Sequence, residues 1–301
     1  MARIGKAAFS FPFDPEQMRY NLKCSPPYCR HGWFVAVAYD QVVGFACYDQ
    51  WEGSYHPRKF SIDLWVDPPY QRRGIGSKLY ETLMAALAPF EPLSIATDSR
   101  ESLPNAMRFL QERGFTEGLR KWQSTLLLDT FDPTLSDTEE RLQEQGIVIR
   151  PYADLTGDPE LDWKLFDLVS TVRMDEPTTE PLTPLNYESW VRELHEYPDF
   201  LPEYYLIATH GDRFVGQSVL WRSPEEGQLN TGLTGVRRAY RNRGIALAMK
   251  VRLLTRAKEA GYKQVITFNA AVNRAMLGIN ERLGFVKTPA WIDYVKVLRT
   301  E

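Results

Sequence analysis

Two short runs of residues combine arginines with glycines in a way that suits the binding of phosphate. Each run ends an apolar stretch and opens an amphipathic helical pattern, so it places unpaired backbone N–H groups at the positive end of a helix. The glycines let an anion approach the backbone, and the basic side chains add charge. For one run alone, a plain strand-to-helix turn with solvated arginines is the competing explanation. The two runs are Gln71, Arg72, Arg73, Gly74, Ile75, Gly76 and Arg241, Asn242, Arg243, Gly244, Ile245, Ala246.

These runs belong to an internal repeat with an offset of 170 positions. The segments Val66–Gly76 and Val236–Ala246 align at this offset, and Arg113–Phe115 and Leu283–Phe285 keep it. A register held over that distance predicts a duplicated unit rather than chance similarity. The length of 301 residues agrees, since roughly 150 residues is typical of one domain. The repeat therefore favours a phosphate site in both copies.

The elements around the runs predict the fold class. Each half has the pattern strand, strand, strand, helix, strand, helix, strand, which is typical of an α+β domain with a mixed, mostly antiparallel sheet flanked by helices. The second half also carries two helical patterns before its hairpin, over 161–173 and 185–196, with Ser136 and Glu139 forming a capping-box start for a short helix between the halves. We predict an N-terminal domain at 1–130, a linker helix at 131–146 and a C-terminal domain at 147–301.

Composition excludes several classes of protein. A formal charge of −3 with 25% charged and 44% hydrophobic residues does not fit a basic nucleic-acid coat or a disordered chain. No apolar run approaches the roughly 18 residues of a membrane helix, and no signal core follows the first residues, so we expect a cytoplasmic protein with no membrane partner. The three cysteines predict reduced thiols and no metal, with a half-site at Cys24 and Cys29 near His31 as a minor alternative.

Two common nucleotide motifs do not match the glycine runs. The Walker loop requires a glycine-lysine pair after four intervening residues, which is absent. The dinucleotide fingerprint requires a third glycine where the chain has Leu79 and Met249.

Both runs resemble the acyl-CoA loop of the GNAT acetyltransferase superfamily, whose pattern is Gln/Arg-x-x-Gly-x-Gly/Ala. The resemblance covers nearly the whole chain, once in each half. The chain is similar to the two-domain group that includes mycothiol synthase. It implies acetyl-CoA as co-substrate, with its pyrophosphate held by both runs and its pantetheine arm beside Val66 and Val236. It further implies that a backbone N–H near Leu64 or Thr234 polarises the thioester carbonyl.

The resemblance assigns more of the site to the second half. It places Asn269, Asn273 and Asn280 along the pantetheine arm, although a helical asparagine is often a cap. The tyrosine that serves the family as general acid is replaced by Leu110 and Asn280, and its glutamate by Phe60 and Asn230. We therefore expect proton transfer through water by one of three acidic residues, Asp175, Glu176 or Glu203, or by solvent.

The predicted function is transfer of an acetyl group from acetyl-CoA to a primary amine of a small molecule, by direct attack in a ternary complex. The second half is the predicted catalytic domain, because the first half has a shorter acceptor side and a structural, regulatory or vestigial CoA site. The catalytic candidates are Thr234, Asn280, Asp175 and Glu176. The alternatives are an acyl-CoA-binding sensor and a protein or peptide N-acetyltransferase, and the oligomeric state, monomer or homodimer, is open.

Overall fold

The computed structural model describes residues 15–135 and 138–300, which form two compact units. Unit 1 comprises the described chain up to Lys121, together with Thr178–Thr183 and the C-terminal residues from Pro289. Unit 2 comprises Trp122–Pro177 and Pro184–Thr288. Each unit has its own buried apolar core.

The helices and strands alternate as the sequence pattern predicts. The α-helices are α1 (Pro15–Cys24), α2 (Ile75–Leu87), α3 (Pro104–Gln111), α4 (Thr138–Glu144), α5 (Leu161–Arg173), α6 (Tyr187–Glu196), α7 (Ile245–Glu259) and α8 (Arg274–Arg282). The strands are β1 (Gly32–Ala38), β2 (Gln41–Asp49), β3 (Lys59–Val66), β4 (Ser94–Arg100), β5 (Thr116–Leu127), β6 (Ile147–Pro151), β7 (Tyr205–His210), β8 (Arg213–Arg222), β9 (Gln228–Thr231), β10 (Gly235–Val236), β11 (Gln264–Ala270), β12 (Val286–Lys287) and β13 (Trp291–Val297).

The sheet of unit 1 has the strand order β1-β2-β3-β4-β13-β5. Its pairs are antiparallel except β3 with β4, which run parallel because α2 connects them. The apolar side of α2 carries Leu79, Leu83 and Leu87, whose spacing places them on one face, and all three are buried against the sheet. This packing fixes the start of α2 beside the end of β3.

The sheet of unit 2 follows the same plan with the order β11-β9-β8-β7-β6, and β5 contributes its last residues beside β11. One core lies under α7 and includes the fully buried Met249 and Leu253. A second core lies under α5 and α6 and includes Leu165 and Leu168, which have no exposed surface. The two mixed sheets flanked by helices confirm the predicted α+β fold class.

The compact units differ from the segments 1–130, 131–146 and 147–301 because the last strand of the second half, β13, pairs with β4 and β5 in unit 1. The repeat shows sequence periodicity but not which sheet a strand joins, so those segments stay a prediction. The predicted helix over 185–196 begins at Tyr187, after the N-cap Asn186. The predicted capping residue Ser136 lies outside the described residues.

Candidate active site

A cleft opens in unit 1 where β3 and β4 stop pairing. The two strands pair only from Lys59 with Ser94 to Ser61 with Ala96, and beyond these residues the polar backbone edges are available to a ligand. A cavity of about 380 Å³ fills this divergence. Its strand residues are Ile62, Leu64 and Val66 of β3 and Thr97, Asp98 and Ser99 of β4.

The predicted phosphate loop forms one end of this cleft. Gly74 is the N-cap of α2 with a left-handed φ of 82°, a conformation that favours glycine, and a side chain added there would meet nothing within 4 Å. The space above Gly74 therefore leaves the backbone open to an anion. The side-chain amide of Gln71 donates to the Val66 carbonyl oxygen at 3.0 Å, which ties the loop to β3. Arg72 and Arg73 form no ion pair within the described residues.

The matching loop of unit 2 has the same backbone conformation, but two arginines beside it are paired with a carboxylate. Gly244 caps α7 with a φ of 87°, and the Arg241 guanidinium donates to the Val236 carbonyl oxygen at 2.9 Å, as Gln71 does in unit 1. Here, however, both Arg238 and Arg241 form ion pairs with the carboxylate of Asp175. The hydrogen bond from Arg238, followed by that from Arg241, lowers the pKa of Asp175 below its usual value. Two of the cations beside this loop are thus already neutralised.

Three carboxylates lie close together in the sheet of unit 1, and sequence reasoning missed them. Cys47 of β2 pairs with Asp63 of β3, and Asp49 is two residues further along β2. Single ligand atoms of Cys47, Asp49 and Asp63 lie within 4.8 Å of one another. Asp98, which lines the cleft, is electrostatically coupled to Asp63. The signal that was available is the interruption of two apolar strand patterns by aspartate, since acidic side chains rarely lie within a core strand without a function or a partner.

The surroundings of these carboxylates raise their pKa values. Desolvation by the surrounding protein is the main cause in each case, because it disfavours the charged form; Asp49 and Asp63 are half-buried, and Asp98 keeps an exposed surface at the cleft. Desolvation raises the pKa of Asp63 to about 7, with repulsion from Asp98 and Asp49 adding to the effect, and that of Asp49 to about 6. It also raises the pKa of Asp98, while Lys121 acts in the opposite direction. Asp63 and Asp49, with these raised pKa values, are able to accept a proton near neutral pH.

A buried hydroxyl group adds a polar contact to the same cleft. Ser99 is only 2% exposed and lines the cavity next to Asp98. Its Oγ has no hydrogen-bond partner within the described part of the chain. Because a buried hydroxyl without a partner is unfavourable, this group fits a site whose ligand completes the hydrogen bond.

The corresponding positions of unit 2 carry no carboxylate. Gly44 of β2 pairs with Val66, and Gly216 of β8 pairs with Val236. Counted from these two glycines, Val219 and Trp221 of β8 replace Cys47 and Asp49. The partner of Val219 is Gly232, whose N–H donates to the Val219 carbonyl oxygen at 2.9 Å. A Cβ at Gly232 would lie 2.3 Å from Nε1 of Trp221, so packing leaves no space for a side chain there. Aromatic packing therefore replaces the acidic groups.

The asparagines predicted to line the pantetheine arm make hydrogen bonds of their own in unit 2, and their contact with the arm stays a prediction. Asn273 is the N-cap of α8, and its side-chain oxygen accepts a hydrogen bond from the Met276 N–H at 3.2 Å. Asn280 is buried and donates to Asn269 at 2.6 Å, but its own side-chain oxygen has no partner among the described residues. The structure therefore brings Asn269 and Asn280 together and turns Asn273 toward the helix backbone.

The remaining catalytic candidates of the second half are dispersed. Thr234 shares a hydrogen bond of 2.8 Å with Ser218. Glu176 is exposed, and Glu203 forms an ion pair with Arg256 beside a separate cavity of about 740 Å³. Asp175, with its lowered pKa, is a weaker base than an ordinary aspartate.

The thiol of Cys47 has an acidic neighbour that the sequence did not reveal. Its Sγ lies 4.0 Å from Oδ2 of Asp63. Burial, together with repulsion from Asp63 and Asp49, raises the pKa of this thiol far above its usual value. Since the thiolate is the nucleophilic form, Cys47 is a poor nucleophile.

Comparisons with known proteins agree with this arrangement of two glycine loops, each with an open phosphate cradle at the start of a helix. Residues 1–115 match the profile of the Acetyltransferase (GNAT) family, and residues 147–286 match that of an Acetyltransferase (GNAT) domain. The chain belongs to the GNAT acetyltransferase family. It is a tandem GNAT protein and an acyltransferase, as the sequence predicted. No helix in the described ranges is long and apolar enough to cross a membrane.

Solved structures of other GNAT proteins share the fold over the full length of this chain. A GCN5-related N-acetyltransferase from Sphaerobacter thermophilus is 20% identical, with a TM-score of 0.73 over 99% of this chain and 92% of its own. A tandem GNAT protein from the clavulanic acid biosynthesis pathway is 18% identical, with a TM-score of 0.74 over 100% of this chain and 93% of its own. A search of curated proteins found no match.

GNAT enzymes use acetyl-CoA, and the residues of the unit 1 cleft fit that co-substrate. The open backbone at Gly74 suits a diphosphate, and the unpaired hydroxyl of Ser99 suits a polar arm inside the cleft. The narrow space between β3 and β4 suits an extended chain that follows the strand edge.

Proposed function

We propose that this GNAT protein transfers an acetyl group from acetyl-CoA to a primary amine of a small molecule, by direct attack in a ternary complex. We further propose that unit 1 carries the reaction. The observation on which this depends is the cleft between β3 and β4, which has an open phosphate cradle at Gly74 and a carboxylate with a raised pKa at Asp98.

Some residues of the cleft bind the co-substrate, and another accepts a proton. Backbone N–H groups at the start of α2, with Arg72 and Arg73, hold the diphosphate of the co-substrate. The edge of β3 near Leu64 and Val66 aligns the pantetheine arm. When bound, acetyl-CoA supplies the acetyl group as a thioester.

Asp98 accepts the proton of the acceptor amine. An ammonium ion has no lone pair with which to attack, so a base within the cleft has to hold the proton that the amine gives up. The raised pKa of Asp98 makes it a better base than an ordinary aspartate, and its place in the cavity wall puts it within the space available to an acceptor.

For unit 2, a second candidate role follows from its own residues. Its cradle at Gly244 has the backbone of a CoA site, but aromatic packing at Trp221 occupies the position of an acidic group. These features favour binding of CoA or acyl-CoA without turnover. The assignment of catalysis to Thr234, Asn280, Asp175 and Glu176 stays a prediction.

The test is thiol release from acetyl-CoA by the full chain with a panel of small primary amines and, separately, with peptides. We expect release to depend on small amines, with mass spectrometry showing one added acetyl group on the amine. A chain that binds CoA in calorimetry but releases no thiol with any acceptor would be a sensor. Acetylation restricted to peptides would contradict the proposed acceptor class.

A further inference from the structure

We infer that the second half of the sequence completes the cleft of unit 1: Asp293 of β13 is a positioning residue for Asp98, and Lys121 and Thr179 hold Asp293 in place. The inference rests on the proposed function, in which Asp98 accepts the proton of the amine. Asp293 and Thr179 both belong to unit 1, although they are far from Asp98 in the sequence. The first half of the sequence alone therefore does not contain the whole site.

The first support is the register of β13 beside β4. Asp293 pairs directly with Asp98 in this antiparallel pair of strands. Residues that face each other in this way lie on the same side of the sheet, with Cβ atoms about 4.5–5.5 Å apart. Because Asp98 lines the cavity, two carboxylates are neighbours at the wall of the cleft. Like charges this close oppose the ionisation of both groups at once.

The two carboxylates differ in their hydrogen-bond partners. The side chain of Asp293 is 13% exposed, and its Oδ1 accepts from the Lys121 ammonium at 2.6 Å. Its Oδ2 accepts from the Thr179 hydroxyl, so donors occupy both oxygens. Asp98 has no hydrogen bond or ion pair within the described part of the chain and keeps an exposed surface at the cleft. The pair thus contains one carboxylate that its donors fix and one that is open to a proton.

The charge of Asp293 makes Asp98 a stronger base. Desolvation is the largest cause of the raised pKa of Asp98; Lys121 lowers that pKa, and Asp293 raises it. The ion pair holds the Lys121 ammonium against Asp293 rather than against Asp98. Without Asp293, Lys121 would be free to pair with Asp98, and the basicity of Asp98 would fall.

The remaining charged groups near Asp98 come from other elements of unit 1. Arg100, two residues further along β4, lies over the ring of Trp291 at 5.0 Å. The groups that are coupled to Asp98 or line the same cavity are Asp63 of β3, the ion-paired Arg108 and Glu112 of α3, and Arg72 of the loop. A substitution on β13 or β5 leaves all of these groups in place.

The experiment records the pH profile of kcat/KM for thiol release by the full chain, with acetyl-CoA and the best small amine, in two variants. Asp293→Asn removes the negative charge and frees Lys121, so we expect the acidic limb to move down by about 1 on the pH scale. We expect kcat to fall about tenfold, with KM for acetyl-CoA changed less than about twofold.

Lys121→Met removes the positive charge instead, so we expect the acidic limb to move to higher pH. The ionisation of the amine is the same for every variant, and differences between the profiles therefore belong to the protein. Shifts in opposite directions would not follow from a merely structural role of the two residues.

A third variant tests the hydroxyl that reaches Asp293 from the segment after α5. Thr179→Val keeps the shape of the side chain but removes the hydrogen bond to Oδ2. We expect kcat to fall about fivefold with little change in KM for acetyl-CoA. Thr179→Ser retains the hydroxyl and should keep the kcat of the unchanged protein.

The matched controls carry the same substitutions at exposed positions of unit 1. Asp40→Asn lies in the turn between β1 and β2, where asparagine tolerates the left-handed φ of 58°. Lys23→Met lies in α1. Both should keep the pH profile of the unchanged protein. Circular dichroism confirms that each variant is folded before the rates are compared.

An acidic limb that stays in place in both folded variants, or moves in the same direction in both, would overturn the inference. So would a loss of kcat in Thr179→Ser equal to that in Thr179→Val. If no amine supports thiol release, the proposed function fails, and the inference is then measured without turnover. NMR titration of the Asp98 carboxyl carbon in the full chain with isotope-labelled aspartate, assigned with Asp98→Asn, should give a lower pKa in Asp293→Asn. An unchanged titration would refute the inference.

Discussion

The two glycine loops of this protein share a backbone and differ in what surrounds it. In both, a glycine with positive φ caps the following helix, and a side chain from the loop donates to the carbonyl oxygen of the preceding valine. Around Gly74 the arginines are without ion pairs in the described chain, whereas beside Gly244 two arginines are paired with Asp175. A backbone cradle can thus be retained while its electrostatics change.

The strands beside the two loops differ as well. In unit 1, β2 and β3 carry Asp49 and Asp63, whereas in unit 2 Trp221 replaces Asp49 and Gly232 lies opposite Val219. Glycine and the strand-to-helix geometry are enough to form a diphosphate site, but proton transfer requires specific side chains. The repeat therefore predicts where a thioester carrier binds, but it does not by itself predict which copy is catalytic.

The largest expected effect comes from closing each cradle in turn. Gly74→Val places a β-branched side chain at a positive φ and in the space needed by an anion, so we expect kcat/KM to fall about 1,000-fold or more. Gly244→Val should lower kcat/KM by less than about fivefold and weaken CoA binding by unit 2 alone. Steady-state thiol release and calorimetry with CoA measure the two effects.

The control for backbone strain is Gly261→Val. Gly261 has a φ of 84° and, like Gly74, nothing within 4 Å of an added Cβ, but it follows the end of α7, whereas Gly244 precedes the start of that helix. If backbone strain alone does not cause the loss of kcat/KM in Gly74→Val, Gly261→Val should keep the kcat/KM of the unchanged protein. Loss of turnover in Gly244→Val with retention in Gly74→Val would return catalysis to the second half, as the sequence predicted.

The next effect concerns the base. Asp98→Asn removes the proton acceptor with little change in shape, and we expect kcat to fall about 100-fold. Because the pKa of Asp98 is raised, the active carboxylate is lost as pH falls through a value above the usual 3.8. The pH profile of kcat/KM should show this acidic limb, and the variant should lack it. A limb that persists in Asp98→Asn would assign the base to another group; Asp40→Asn is the control.

Much of the fold could be predicted from the sequence because it depends on local patterns. Apolar spacing after each loop predicted α2 and α7, and α5 has the bounds that its pattern indicated, Leu161–Arg173. The position of β13 could not be predicted. Strand periodicity fixes which faces are apolar, but a strand of this kind pairs equally well with any open edge of suitable register.

The candidate site, too, could be predicted from the sequence only where it depends on local patterns. The loops around Gly74 and Gly244 were recognisable because backbone conformation demands glycine at defined spacing. Asp63 and Asp98 were not, since they lie on strands that are distant in sequence and are brought near each other only because β3 and β4 pair in parallel just before them. Asn273 forms a helix cap, a role that its residue type suits as well as a ligand contact, so its place on the pantetheine arm stays a prediction.

A smaller effect tests whether the packing around Gly232 in unit 2 leaves room for a side chain. Gly232→Ala forces a methyl group to within 2.3 Å of Nε1 of Trp221, so the surrounding side chains have to move. We expect the free energy of unfolding to fall by about 2 kcal/mol, as for other overpacked sites. Urea denaturation measures it, and Gly157→Ala, whose added Cβ meets nothing within 4 Å, should change the free energy by less than about 1 kcal/mol. Equal stability of the two variants would show that there is room for a side chain at Gly232.

The smallest effect concerns the ion pairs that distinguish the loop of unit 2. Asp175→Asn removes the charge that Arg238 and Arg241 share, and we expect a loss of about 1 kcal/mol in the free energy of unfolding at pH 7. The folded-state pKa of Asp175 lies below its usual value of 3.8, so this stabilisation is present above about pH 4 and is lost as pH falls through the folded-state pKa.

The stability difference between Asp175→Asn and the unchanged protein should therefore shrink between pH 7 and pH 3, and salt should reduce it as well. Asp212→Asn, in the exposed turn between β7 and β8, should show no such difference at either pH. A difference for Asp175→Asn that is independent of pH and salt would mean that packing, and not charge, holds Asp175 against the arginines. The neutralised cations would then no longer account for the contrast between the two loops.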